Sequence, residues 1–204
     1  MRLIQRQRRS SLRLKGYDYS RAGAYYVTIC AHHRVEVFGE VVNGVMNLNE
    51  VGLIAQQEWL RTEQRSEVAL DEYIIMPNHI HAILWIITEE EHDMGEILRR
   101  GMACPWGMAR HAPTDPPFVE RQFGKPIPHS LSSIIGSFKS AVTRAIRNVL
   151  SGMRATVWQR QFYDHVVRNE ADLHRIREYI WNNPARWDCD REREMIEVHN
   201  APIT

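Results

Sequence analysis

Two histidines separated by a single residue have the type and spacing to bind a metal ion. His79 and His81 lie in the sequence YIIMPNHIHAILW, whose apolar and aromatic residues are typical of a β-strand. Side chains alternate along a strand, so both imidazoles point to the same face of a sheet, about 7 Å apart. Two imidazoles at this spacing can chelate a divalent cation. An ordinary pair of strand histidines, bonded to neighbours or water, also fits this short pattern.

A tyrosine and an asparagine later in the chain form a second pair of candidate side chains. Tyr179 and Asn183 lie four positions apart in LHRIREYIWNNP, so they share one face of the helix predicted there. The same broad face carries Leu173 and Ile176, which leaves a core position for Tyr179 as the alternative. Asn183 precedes Pro184 and could simply end the helix.

The segments around these four residues predict an α+β fold. Strand patterns cover 24–31, 35–42, 44–48, 72–76, 79–87 and 162–167, and helical patterns cover 50–65, 131–150 and 170–183. Asn43 and Gly44 indicate a tight hairpin turn, because both residue types tolerate positive φ. We therefore expect a ferredoxin-like antiparallel sheet with helices on one face, and a last helix that ends at Pro184.

Length and composition fit a single folded domain. The chain has 204 residues, of which 44% are hydrophobic. We divide it into a basic arm at 1–22, a domain at 23–187 with a long proline-rich insertion at 88–128, and a polar tail at 188–204. No apolar run approaches the roughly 18 residues of a membrane helix, and the first residues lack the apolar core of a secretory signal. The three cysteines are widely separated, so we expect a cytoplasmic protein without a disulfide framework or a membrane partner.

Basic residues are concentrated in two blocks, although the net charge is only +1. Residues 1–21 contain seven Lys or Arg and one Asp, and residues 121–168 contain eight and one. Such blocks suit a polyanion such as nucleic acid, and a solvated surface balanced by acids elsewhere is the alternative. Lys139, Arg144 and Arg147 lie on the polar side of the helix predicted at 131–150 and are candidates for DNA contacts.

Together the two motifs resemble a known family. His79-Ile80-His81 matches the histidine–hydrophobic–histidine signature of the HUH endonuclease superfamily. The sequence MPNHIHAI, followed by WQRQFYDHVVRNEADLHRIREYIWNNPARW at 158–187, resembles the single-tyrosine transposases of small insertion sequences, and most of all the REP-associated tyrosine transposases. The resemblance extends from about residue 25 to 187, except for 88–128, which is longer and richer in proline than the family pattern.

The resemblance implies a role for each candidate residue. It makes His79 and His81 ligands of Mg²⁺ or Mn²⁺, Tyr179 the nucleophile and Asn183 the third protein ligand. Tyr163 and the remaining tyrosines are weaker candidates for the nucleophile. The implied activity is metal-dependent cleavage and rejoining of single-stranded or hairpin DNA through a 5′-phosphotyrosine intermediate. The family includes both homodimers and monomers, so the resemblance leaves the oligomeric state open.

Two other functions remain open at this point. A hairpin nucleic-acid-binding protein derived from such a transposase would keep the fold and lack cutting activity. A metal hydrolase acting on small molecules would use His79 and His81 with an acid such as Glu72, or with His92. A covalent protein–DNA adduct distinguishes the transposase from both.

Overall fold

A four-stranded antiparallel sheet lies at the centre of the computed structural model, which describes residues 17–87, 127–149 and 156–187 and the backbone of 188–199. The strands are β1 (Gly23–Cys30), β2 (Gly39–Val42), β3 (Val45–Leu48), β4 (Val68–Met76), β5 (His79–Ile86) and β6 (Tyr163–Val166). The helices are α1 (Glu50–Arg61), α2 (Leu131–Val149) and α3 (Glu170–His199). No helix in these ranges is long and apolar enough to cross a membrane.

The central sheet has the ferredoxin-like topology that the sequence predicted. Its strand order is β4-β5-β1-β6, and the chain passes through β1, α1, β4, β5, α2 and β6 in turn. All three strand pairs are antiparallel. The α+β class and the antiparallel sheet are therefore confirmed, and β5 is an interior strand paired on both sides.

The helices cover both faces of this sheet, where the sequence predicted one. Helices α1 and α2 pack on one face, with Trp59 and Phe138 against β-strand residues such as Ile80. Helix α3 packs on the other face, where Ile176 contacts a cluster that includes Ile83. The reason lies in β5, which is apolar on both faces and is buried along almost its whole length. Each apolar face of a sheet must be covered, and α3 supplies the second cover.

The hairpin between β1 and α1 follows its sequence signal. Asn43 has φ 52° and Gly44 has φ 74°, so both turn residues are left-handed as a two-residue hairpin requires. Just after the hairpin, the Asn49 side chain accepts a hydrogen bond from the Gly52 backbone amide at 3.0 Å and caps the start of α1. The hairpin turn is confirmed, and β2 is shorter than predicted.

The structure describes only part of the predicted arm and of the predicted insertion. Tyr17 and Tyr19 are buried in the core beneath α1 and α2, so the domain begins before residue 23. Residues 1–16 lie outside the described residues, as do 88–126 of the insertion predicted at 88–128.

Helix α3 passes through Pro184 and continues to His199, which corrects the predicted end at this proline. Proline removes one backbone hydrogen bond and disfavours a helix interior. Contacts beyond Pro184 offset this cost. Trp187 is buried with its ring centroid 5.9 Å from that of His79, and Ala185 lies against the Gly44 turn. The segment 188–204, predicted as a tail, therefore begins as helix.

Candidate active site

The two histidines lie side by side on the sheet face covered by α3. Strand β5 places His79 and His81 on the same side, as the alternation predicts. Their Nε2 atoms are 2.9 Å apart and their ring centroids 4.4 Å apart. His81 is only 5% exposed, because the neighbouring strands and α3 enclose it. Both Nε2 atoms therefore converge on one point.

Asn78 determines which nitrogen of His79 carries the proton. Its side-chain oxygen Oδ1 lies 2.6 Å from His79 Nδ1, and an amide oxygen can only accept. The Nδ1–H group of His79 donates to Asn78, which leaves the lone pair on Nε2. This is the arrangement that a metal-ligating imidazole needs, with the second nitrogen held by a neighbouring acceptor.

Two hydroxyl groups of β1 orient His81 in the same way. Tyr26 Oη lies 2.8 Å and Thr28 Oγ1 lies 3.0 Å from His81 Nδ1. The register of β1 and β5 puts Thr28 directly opposite His81. Neither residue was predicted from the sequence to contact His81. Alternation in β1 places Tyr26 and Thr28 on one face, but only the register shows that this face meets His81.

Burial keeps both imidazoles neutral. It lowers the pKa of His79 to about 4, and the nearby Arg34 charge contributes to the shift. Burial also lowers the pKa of His81 well below its usual range, with smaller contributions from His79 and Arg34. Near pH 7 both rings can therefore offer a lone pair to a ligand.

Helix α3 brings Tyr179 to this pair. The Tyr179 hydroxyl lies 3.5 Å from His81 Nε2, and the two ring centroids are 5.2 Å apart. The side chain is 41% exposed, so Tyr179 is not a core residue. Its hydroxyl is thus held beside the histidines while remaining open to solvent.

A buried ion pair fastens α3 to the sheet close to Tyr179. Arg177 donates from Nε to Asp71 Oδ1 at 2.8 Å and from Nη2 to Asp71 Oδ2 at 2.6 Å. Trp85 Nε1 donates to the same carboxylate at 3.0 Å. Burial alone would raise the pKa of Asp71, but the hydrogen bonds from Arg177 and Trp85 outweigh burial and lower this pKa. The two-point contact fixes the rotation of the helix that carries Tyr179.

Asn183 lies one turn after Tyr179 on α3 and is 3% exposed. Neutral imidazole nitrogens and an amide oxygen are the kinds of donor that suit a divalent ion with mixed nitrogen and oxygen ligands. Among the described residues, no three His, Cys, Asp or Glu side chains group closely enough to hold a metal. Within the described residues, a third protein ligand beside His79 and His81 would therefore be a side chain of another kind.

A groove of about 560 Å³ opens between β6 and α3 beside Tyr179. Its walls include aromatic and basic side chains, among them Tyr26, Tyr163, His165, Arg175 and Arg186. Tyr163 begins β6 and points its ring toward Tyr26, with the two centroids 6.3 Å apart. Two of its lining residues were candidates from the sequence, Tyr179 as the nucleophile and Tyr163 as a weaker alternative.

The three predicted DNA-contact residues do not join the histidines. Helix α2 packs on the opposite face of the sheet, and Lys139, Arg144 and Arg147 line a separate groove of about 460 Å³ there. Lys139 Nζ donates to the backbone oxygens of Gln159 at 3.0 Å and Gln161 at 3.2 Å. Lys139 therefore holds the segment before β6, whereas Arg144 and Arg147 are exposed on α2.

The partners considered for a small-molecule hydrolase are not at the histidines in the described part of the chain. Glu72 accepts a hydrogen bond from Trp181 Nε1 at 2.8 Å on the exposed side of α3. His92 lies outside the described residues. The structure thus gives no support to a hydrolase site built from His79, His81 and Glu72.

Comparison with known proteins gives a relative in sequence and a similar solved structure. No family model matches the chain. An uncharacterized protein of Haemophilus influenzae is 34% identical over 184 residues, which cover 90% of this chain and 92% of that protein. The structure of the REP-associated tyrosine transposase bound to a REP hairpin is similar with a TM-score of 0.51 and 15% identity, covering 87% of this chain and 73% of that chain. The chain therefore belongs to the same family as the Haemophilus influenzae protein, and it has the fold of the REP-associated tyrosine transposase.

Proposed function

We propose that this protein is a metal-dependent endonuclease and strand transferase of single-stranded DNA, a transposase that forms a 5′-phosphotyrosine intermediate. One observation carries the proposal. The Tyr179 hydroxyl lies 3.5 Å from His81 Nε2, although the two residues are 98 positions apart in the chain. A neutral histidine pair, with His81 buried and His79 partly buried, beside a solvent-open tyrosine is the arrangement needed to attack a phosphate next to a bound cation.

His79, His81 and Asn183 would hold a divalent ion, Mg²⁺ or Mn²⁺. When bound, the ion would polarise the scissile phosphate and stabilise negative charge on its oxygens. The protein's own contribution is orientation. Asn78 holds the lone pair of His79 on Nε2, and the Tyr26 and Thr28 hydroxyls can accept from His81 Nδ1. These contacts support the assignment of His79 and His81 as ligands.

Tyr179 acts as the nucleophile in this proposal. Its Oη attacks phosphorus, the Oη–P bond forms, and the bond from phosphorus to the 3′ oxygen of the preceding nucleotide breaks. The tyrosine gives up its proton, and the departing oxygen takes one to become a free 3′-OH. That hydroxyl can later attack the phosphotyrosine and rejoin strands, so the reaction needs no ATP.

The proposed substrate is hairpin DNA with single-stranded flanks. The protein of similar fold was solved with a REP hairpin bound, which supports this substrate class for the present chain. Arg144 and Arg147 provide exposed positive charge on α2 for phosphate contacts outside the cutting site. One chain supplies both the histidines and Tyr179, so a monomer can complete the site.

The test uses hairpin DNA labelled on the 3′ side of the cut and incubated with Mg²⁺ or Mn²⁺. On a denaturing gel the wild type should carry the label covalently, and Tyr179→Phe should not, because the substitution removes one hydroxyl and little volume. Tyr163→Phe is the matched control and should still form the adduct. An adduct that persists in Tyr179→Phe and disappears in Tyr163→Phe would assign the nucleophile to Tyr163. Hairpin binding without any adduct would favour a binding protein that lacks cutting activity.

A further inference from the structure

The groove between β6 and α3 extends beyond the mechanism above: Tyr179 and Tyr26 already have roles there, whereas Tyr163, His165 and Glu178 do not. We propose that it receives one unpaired nucleobase of the DNA strand, next to the phosphate that Tyr179 attacks. This inference rests on the proposed function, because it places the base beside the same tyrosine. At about 560 Å³ the groove lies within the range of small-ligand pockets, about 300 to 1,000 Å³.

Two exposed aromatic rings give the groove a stacking surface. Tyr163 is 43% exposed at the start of an edge strand, and Tyr179 is 41% exposed on α3. Tyr26 lies buried between them, with ring centroids 6.3 Å from Tyr163 and 6.5 Å from Tyr179, and both contacts are edge-to-face. Tyr26 therefore supports both rings from below while they remain available to a ligand. A nucleobase offers the flat apolar face that such rings bind.

The polar groups of the groove favour a base that carries an exocyclic amine. The Glu178 carboxylate lines the groove and can only accept hydrogen bonds when ionised. Asn182 Nδ2 donates to the Glu178 backbone oxygen at 2.8 Å, which holds Asn182 against the same wall. Cytosine and adenine present amine donors to such a carboxylate, whereas thymine presents a carbonyl oxygen at the corresponding position. At this position of the base, Glu178 therefore favours cytosine or adenine over thymine.

Basic side chains at the groove suit the phosphates on either side of the base. Arg175 pairs with Asp172, yet its side chain is 75% exposed. Arg186 lies on the same helix and also lines the groove. His165 Nε2 donates to Asp172 Oδ2 at 2.8 Å, which anchors the groove to the first turn of α3. The charge at the edge and the aromatic interior match a single nucleotide rather than a duplex.

The test uses an oligothymidylate that carries one 2-aminopurine, a base whose fluorescence is quenched when it stacks on an aromatic ring. The wild type should bind and quench this probe. Tyr163→Ala should weaken binding about 5- to 150-fold, the loss expected for one base–aromatic stack, and should abolish the quenching. Tyr163→Phe keeps the ring and should behave like the wild type. Trp181→Ala is the matched control, since Trp181 is a 60% exposed aromatic of α3 that does not line the groove.

Glu178→Gln tests the choice of base. The wild type should bind an oligothymidylate that carries one cytosine more tightly than plain oligothymidylate. Glu178→Gln should reduce this preference, because its amide can also donate to the thymine carbonyl oxygen. Equal quenching by wild type and Tyr163→Ala would overturn the inference even where the Tyr179 adduct forms. An adduct that fails to form while quenching still depends on Tyr163 would overturn the proposed cutting activity instead.

Discussion

Removing Arg177 should strongly destabilise the protein and misplace Tyr179. The Asp71 side chain is 8% exposed and the Arg177 side chain 23% exposed. Among the described residues, Arg177→Ala leaves this buried carboxylate with the Trp85 N–H and the Glu72 backbone amide as donors. Breaking a buried pair by removing one partner costs about 3–5 kcal/mol. The partial exposure of Arg177 argues for the lower end, about 3 kcal/mol of unfolding free energy.

The free energy of unfolding is measured by urea denaturation followed by circular dichroism. The slope of this free energy against urea concentration is compared between variants, since a common slope means that they unfold in the same way. Arg175→Ala on the same helix removes an exposed ion pair with Asp172 and should change stability by less than about 1 kcal/mol. The double variant Asp71→Asn, Arg177→Met removes the buried charge together with its partner, while the new side-chain amide keeps an oxygen for Trp85. This double variant should recover much of the unfolding free energy that Arg177→Ala loses.

The same variants should separate stability from catalysis. At a temperature where Arg177→Ala remains folded, the rate of adduct formation should fall while hairpin binding is retained, because the helix that carries Tyr179 loses its two-point contact with β4. A cost below about 1 kcal/mol for Arg177→Ala, or a double variant less stable than the single one, would refute this account of how α3 is held.

Three further outcomes follow from other contacts. Burial would raise the pKa of Glu67, but hydrogen bonds from its own backbone amide, His129 and Arg65 lower it from 4.5 to about 2. The ionised Glu67 therefore stabilises the folded state fully above pH 4.5, and this contribution is lost as pH falls toward 2. It should amount to about 1–2 kcal/mol of unfolding free energy, because the exposed partners are screened by solvent. Glu67→Gln should remove this acid dependence, as measured by urea denaturation at a series of pH values. Replacing both Arg144 and Arg147 with Gln should reduce the slope of log affinity for hairpin DNA against log salt by up to about 2, and an unchanged slope would make them ordinary surface residues. Asn78→Ala should weaken Mn²⁺ binding about 10- to 100-fold in calorimetric titration, because the His79 Nδ1–H loses its acceptor, and unchanged affinity would contradict the orienting role.

Local patterns in the sequence determine most of the elements that carry the site. The His79-Ile80-His81 alternation gives a strand with both imidazoles on one face, and Asn43-Gly44 gives the hairpin. Both depend on neighbouring residues alone, since backbone dihedrals and side-chain direction are set over a few positions. The strand order also followed the predicted alternation of strands and helices.

The remaining features depend on contacts between distant segments. Helix α3 continues past Pro184 because Trp187 is buried near His79, and nothing in the local sequence reports that contact. Tyr26 reaches His81 through the register of β1 and β5, which a single strand pattern does not specify. The α2 basic residues lie across the sheet from the histidines for the same reason. Helical periodicity shows that Arg144 is on a polar side but not which face of the sheet that side borders.

Identification of the residue that bonds to DNA tests the central claim most directly. The full-length protein would be incubated with Mn²⁺ and a pool of hairpin DNAs whose single-stranded flanks are randomised, so that no target sequence is assumed. Adducts that survive denaturation would be digested with nuclease and protease and sequenced by mass spectrometry. We expect a nucleotide phosphate on Tyr179, held 3.5 Å from His81 Nε2 in the free protein. A phosphate on any other residue, or hairpin binding with no adduct in the whole pool, would contradict the assignment of Tyr179 as the nucleophile.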